Sequence, residues 1–252
     1  LTALFYAAGS VREFAEPYLA RGVRVISARA ANAESVAEFT LAQVILAAKN
    51  YFGQLREPRI EPRLPEAPGL FEITVSLLGA GAVGSLLARH LKSRPVNVLV
   101  FDPYLSDAVA RRLGVTRCSL DEAFKFGHIV SNHLANLPAT QEIIEGRHFE
   151  LMRRAATFIN TARGETIDQA AMIRSLQDRS DLTALLDVVT PNQPEIEQLA
   201  ALPNVVVSSH IAGSIGNEVW RMADLVIEEF QRLRAGKPLK HQVTAKALRT
   251  MA

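Results

Sequence analysis

Ile73-Thr-Val-Ser-Leu-Leu-Gly-Ala-Gly-Ala-Val-Gly84 decides the reading of this chain. Its first six residues, Ile73–Leu78, form an apolar run, as a buried strand requires. Gly79, Gly81 and Gly84 follow. The first allows a tight turn, the second lets backbone approach a pyrophosphate, and the third lets a helix pack closely on the strand. That helix reads as Val83 to Lys92, and Val83 with the preceding Ala82 presents backbone N–H groups to an anion. Asn97-Val-Leu-Val-Phe101 is the next strand and runs into Asp102, where a ribose-binding acid belongs in a dinucleotide site. A carboxylate accepts hydrogen bonds from both ribose hydroxyls and repels a 2′-phosphate. Pro103 follows it, not an arginine. The cofactor read from these residues is NAD rather than NADP.

The pattern repeats outward from this motif. His128–Ser131, Thr157–Asn160, Thr183–Leu186 and Val205–Ser208 are short apolar strands, and helical patterns such as Asp168–Gln177 lie between several of them. Continuous apolar strands separated by helices imply a parallel sheet covered on both faces. The fold class is therefore α/β, a Rossmann-type doubly wound parallel sheet. Upstream, Val23–Ser27 reads as a strand and Asn32 as the N-cap of a helix reaching about Asn50. Pro58 to Gly69, with prolines at 58, 62, 65 and 68, reads as a loop. Asn217–Arg234 is a closing amphipathic helix.

Composition removes several function classes. With 28 basic and 26 acidic residues, the net charge of +2 gives no electrostatic case for nucleic acid or an anionic membrane. Cys118 is the single cysteine, which rules out an internal disulfide and a cysteine-based zinc cluster and fits a reducing compartment. No apolar stretch is long enough to span a bilayer. The N-terminus lacks a basic signal-peptide start, so the expected location is cytoplasmic. No metal site is expected.

Two residues stand out as catalytic candidates. Arg163, in Asn160-Thr-Ala-Arg-Gly164, follows a strand of the same sheet and could hold a carboxylate or polarise a carbonyl. His210 closes the stretch Val205–Ser209 and offers acid–base chemistry near neutral pH. Read alone, an arginine beside a glycine is more often a surface residue or helix cap, and His210 could equally be structural. His133, in Ser131-Asn-His-Leu134, is placed to line the cofactor cleft. His90, His128, His148 and His241 fall in helical or loop patterns and read as solvated.

Taken in order, four segments make the chain resemble the D-isomer-specific 2-hydroxyacid dehydrogenases. They are Gly79–Gly84 with Phe101-Asp-Pro-Tyr104, Ile159–Asp168, Ala184-Leu-Leu-Asp-Val188, and Leu202–Gly213. Ala31–Leu41 is similar to that family's interdomain helix. The resemblance implies Arg163 as the substrate-orienting arginine and His210 as the acid–base. It implies that Asp187 contacts the nicotinamide carboxamide, and that Thr161, Ala162 and Gly213 join the cofactor site. Ala8-Gly9-Ser10 would receive the substrate carboxylate through backbone N–H groups. The implied partners are a small 2-oxo or 2-hydroxy acid and a second copy in a homodimer. The implied organisation is a partial substrate domain at residues 1–31, an NAD-binding domain at 32–216 that includes the interdomain helix 32–50, and a closing helix and tail at 217–252 that return to the substrate domain.

Two departures stand out. Where relatives carry a glutamate paired with the histidine, this chain has Thr190, with neutral Asn192 and Gln193 nearby. A carboxylate would favour imidazolium, whereas threonine can only orient the ring. The stretch before the interdomain helix is also short for the family, and apolar surface is expected on the smaller domain. An alternative to turnover is therefore an NAD(H)-sensing binding protein, or a truncated and poorly active relative.

Overall fold

The computed structural model describes residues 1–56 and 67–251. Most of the proline-rich loop read at Pro58–Gly69 lies outside the described residues. The chain divides into two compact units, Leu1–Val36 with Ile211–Ala252, and Ala37–His210. The smaller unit begins with β1 (Ala3–Tyr6), α1 (Ala15–Ala20) and β2 (Arg24–Ser27), and α2 (Arg29–Ala48) leads from it into the larger unit. There α3 (Tyr51–Arg56) precedes β3 (Thr74–Leu78), and helix and strand then alternate. They are α4 (Ala82–Lys92), β4 (Asn97–Phe101), α5 (Asp107–Leu113), β5 (Thr116–Arg117), α6 (Leu120–Phe126) and β6 (Ile129–Asn132). Next come α7 (Gly146–Leu151), β7 (Thr157–Asn160), α8 (Gln169–Asp178), β8 (Thr183–Leu186), α9 (Gln193–Ala201) and β9 (Val205–Val207). The smaller unit is completed by α10 (Val219–Arg234), β10 (Gln242–Val243) and α11 (Ala245–Leu248).

The larger unit's sheet runs β5-β4-β3-β6-β7-β8-β9, with every pair parallel. Chain order reverses between β3 and β6. The loops leaving these two strands part there, which opens a crevice at their carboxyl ends. This is the doubly wound Rossmann-type sheet expected from the sequence. Its two faces are filled by alternation along each strand. Val75 and Leu77 of β3 pack with Val44, Leu87 and Leu91, while Leu78 packs with Phe124 and Phe158 on the opposite face. Phe149 meets Phe158 edge to face at 5.2 Å, and Phe124 stacks on Phe158 at 6.0 Å. In the smaller unit β2 pairs in parallel with β1 and antiparallel with β10. Among the described residues no helix is long and apolar enough to cross a membrane.

Three local expectations are corrected. Asn32 is not an N-cap, because α2 starts at Arg29. Ser27 Oγ accepts the Arg29 N–H (3.1 Å), and the Ala28 carbonyl already accepts those of Ala31 and Asn32, so the first turn closes earlier. The Asn32 side chain accepts the Ser214 N–H instead (2.9 Å). His148 is fully buried rather than solvated. Its Nδ1 accepts the Glu145 N–H (2.9 Å) at the start of α7, and its ring packs on Phe124. His90, His128 and His241 are half-buried. Finally, β9 stops at Val207, so His210 lies three residues beyond the strand. On α10, Trp220, Ile227 and Phe230 are exposed.

Phe158 is held by two other rings in a closed core. Phe158→Ala is expected to lower stability by about 3–5 kcal/mol. Urea unfolding followed by circular dichroism would measure it.

Candidate functional site

The glycine turn lies at the carboxyl end of β3, beside the crevice. Gly79 adopts a left-handed φ of +98°, and a Cβ there would lie 2.8 Å from the His133 carbonyl oxygen. A Cβ at Gly84 would overlap the Gly79 carbonyl oxygen, so α4 can start this close to the strand only with glycine. Gly81 is different, with open space in front of it. It precedes α4 without a side-chain cap, and the first N–H groups of that helix have no intrahelical acceptor. Open space, bare N–H donors and a positive helix end together suit a pyrophosphate. Asp102 follows β4. Its Oδ2 accepts the Ala80 N–H and its Oδ1 the Tyr104 N–H, each at 2.7 Å. Each oxygen keeps a further lone pair for a ribose hydroxyl. These residues fit a dinucleotide.

The remaining candidates in the larger unit follow the carboxyl ends of its neighbouring strands. His133, just past β6, is buried, and its Nε2 shares a hydrogen bond with Ser131 Oγ (2.9 Å). Burial pushes its pKa down to about 4, so the ring is neutral. Thr161, Ala162 and Arg163 follow β7. Thr161 Oγ1 pairs with Thr40 Oγ1 of α2 (3.2 Å). Arg163 is half-buried, and its guanidinium donates to the Ala162 carbonyl (2.6 Å). Asp187 follows β8, is 2% exposed, and accepts the Ser208 hydroxyl proton at Oδ1 (2.6 Å). The Asp187 carbonyl in turn accepts the His210 N–H (3.0 Å). His210 is exposed and has a left-handed φ of +56°. That conformation is uncommon for a side-chain-bearing residue, and such residues cluster at functional sites.

Ala8, Gly9, Ser10 and Gly213 belong to the smaller unit. The Ser27 hydroxyl donates to the Gly9 carbonyl (2.5 Å), which fixes that loop. A Cβ on Gly213 would lie 3.1 Å from Asn32 Oδ1. The neutral candidates near Thr190 do not turn to His210. Asn192 is exposed at the start of α9, and Gln193 Nε2 donates to Glu197 (3.0 Å). Thr190 is held by Gln169, whose Oε1 accepts its N–H (2.8 Å) and whose Nε2 donates to its carbonyl (3.2 Å).

Several residues that shape the site escaped the sequence reading. A Cβ on Gly164 would overlap the Thr190 nitrogen, so the Arg163 turn and the Thr190 loop touch backbone to backbone. Ser208 anchors Asp187. Asn132 and Asn160 are fully buried at the ends of β6 and β7. An asparagine closing each of two otherwise apolar strands was the available signal.

The family profile described as "D-isomer specific 2-hydroxyacid dehydrogenase, NAD binding domain" matches residues 41–212. The D-3-phosphoglycerate dehydrogenase of Methanocaldococcus jannaschii is 27% identical over 221 residues, covering 86% of this chain and 42% of that protein. The protein of the same name from Mycobacterium bovis is 29% identical, again over 86% of this chain and 42% of its own length. The chain thus spans less than half the length of these curated relatives. Among solved structures, the D-lactate dehydrogenase of Lactobacillus jensenii with NAD+ aligns with a TM-score of 0.77 at 22% identity, covering 97% of this chain and 79% of that one. At that identity the likeness concerns the fold.

Two outcomes follow from this geometry. Gly84→Ala forces the turn and α4 apart. It is expected to cost about 1–3 kcal/mol and to weaken NADH binding at least about tenfold, read by fluorescence titration. For His133, the unfolded chain takes up a proton through the ordinary histidine range, while the folded chain stays neutral down to about 4. The unfolded state then binds more protons, so stability falls as pH drops through that window, by at most about 1.4 kcal/mol per pH unit. His133→Gln should flatten this slope in urea titrations; an unchanged slope would contradict a buried neutral ring.

Proposed function

The chain belongs to the D-isomer-specific 2-hydroxyacid dehydrogenase family, through that family's NAD-binding domain, and we propose that it interconverts a 2-oxo acid and its D-2-hydroxy acid. One observation carries this reading. Arg163, Asp187 and His210 follow β7, β8 and β9, three adjacent strands, on the same sheet edge as the glycine turn. NADH, when bound, supplies the hydride to the carbonyl carbon. Arg163 holds the substrate carboxylate through paired N–H donors and draws electron density from the adjacent carbonyl. His210 gives a proton to the carbonyl oxygen and regains one from solvent. Asp187, fixed by Ser208, would accept from the carboxamide of the bound cofactor. The same reading takes the working form to be a cytoplasmic homodimer, for which exposed Tyr51, Leu55 and Phe71 supply apolar surface.

A second reading, binding of NAD(H) without turnover, draws on the Thr190 region. Thr190 stands where relatives carry the glutamate, its backbone is held by Gln169, and Gln193 is engaged with Glu197. A panel of 2-oxo acids separates the two: glyoxylate, pyruvate, hydroxypyruvate, its phosphorylated form, and bulkier members, each assayed by loss of NADH absorbance. One or more should be reduced. Arg163→Ala should then lower kcat/KM on the order of 10²–10³-fold, and His210→Gln on the order of 10²–10⁴-fold. NADH binding with no acid reduced would favour the second reading.

A further inference from the structure

Resting on the reading of Arg163 as the substrate-binding group, we propose that Asn132 and Thr166 are positioning residues that aim it from beneath the site. A guanidinium meets a carboxylate through two parallel N–H donors, so its direction must be set by the backbone that carries it. The Arg163 carbonyl accepts from Thr166 Oγ1 (2.9 Å) and from Asn160 Nδ2 (3.3 Å). Both donors are organised by Asn132, whose Nδ2 donates to Thr166 Oγ1 (2.8 Å) and to Asn160 Oδ1 (3.1 Å). Asn132, Asn160 and Thr166 are each fully buried.

The donor directions are forced. The Leu134 N–H donates to Asn132 Oδ1 (3.1 Å), so the amide nitrogen of Asn132 must face Thr166. An amide nitrogen can only donate, so the threonine hydroxyl accepts there and its own proton goes to Arg163. The Ala162 N–H donates to Asn160 Oδ1 (3.1 Å), which turns Asn160 Nδ2 toward the Arg163 and Val188 carbonyls (3.3 Å each). A closed network thus ties the end of β6 to the Arg163 turn and to the exit of β8. Apolar side chains could fill this volume without the desolvation cost of three buried polar groups. What these groups add is a single direction for the Arg163 backbone.

Thr166→Val keeps the shape and deletes the hydroxyl. It should raise KM for the oxo acid and lower kcat/KM on the order of 10²-fold, while NADH affinity stays within about twofold. In an Arg163→Ala background, Thr166→Val should have no further effect on kcat/KM, the coupling expected if it acts through that residue. Thr166→Ser should restore activity. Asn132→Leu removes the donor to Thr166 and should act in the same direction, which covers the case of a Thr166→Val chain that does not fold. A folded variant with a lower Tm and unchanged kcat/KM overturns the proposal. Independently of turnover, the Arg163 Nε–H resonance, assigned by its loss in Arg163→Lys, should shift or broaden in Thr166→Val, and a stationary signal also overturns it. A wild-type chain that reduces no oxo acid refutes the proposed function alone, and the resonance then decides the positioning.

Discussion

The carbonyl oxygen of Gly79 occupies the volume that a side chain at position 84 would need. Much of the larger unit follows from that approach. It brings the first turn of α4 against the end of β3, so the bare N–H groups of the helix face the crevice and not the sheet. The His133 carbonyl also lies close to Gly79, within 2.8 Å of where a Cβ would sit. The glycine turn is thereby packed between α4 and the segment leaving β6. The strand order places both exits at the point where the sheet reverses.

A second backbone-to-backbone contact repeats this arrangement further along the edge. Gly164 lies against the Val189–Thr190 backbone, with no room for a Cβ. Arg163, one residue earlier, is therefore pinned between β7 and the segment leaving β8. The two contacts are linked through buried polar groups. Asn132 receives the Leu134 N–H on the cofactor side and donates to Thr166 and Asn160 on the Arg163 side. Buried amides are tolerated only when their hydrogen-bonding capacity is used, and here the partners are the Leu134 N–H, the Thr166 hydroxyl and, through Asn160, backbone groups of the Arg163 turn. Asp187 continues the chain of support, bound by Ser208 and carrying His210 on its carbonyl.

In the smaller unit the constraint is different. Ser27 links β2 to the Ala8–Ser10 loop and to the start of α2. Asn32 and Ser35, one turn apart on α2, both hold Ser214. These short polar side chains bind backbone and hydroxyl groups that no regular element satisfies, which is why they sit where helix, strand and turn meet.

The sequence alone determined the class of fold and the cofactor motif. Apolar strands of a few residues, alternating with helical patterns, leave little besides a covered parallel sheet, and glycine spacing before a strand-ending aspartate is a local property. Arg163, Asp187 and His210 stood out through the resemblance of an ordered set of segments, and the structure places each after a strand of the sheet. Only the tertiary structure decided what surrounds them. Asn132 and Thr166 are distant from each other in sequence and carry no motif, yet the sheet register brings them into one buried network. The start of α2 at Arg29, the burial of His148 and the left-handed turn at His210 were equally out of reach. Each depends on which polar atom wins a particular N–H group, and that competition is settled by neighbours that only folding brings near.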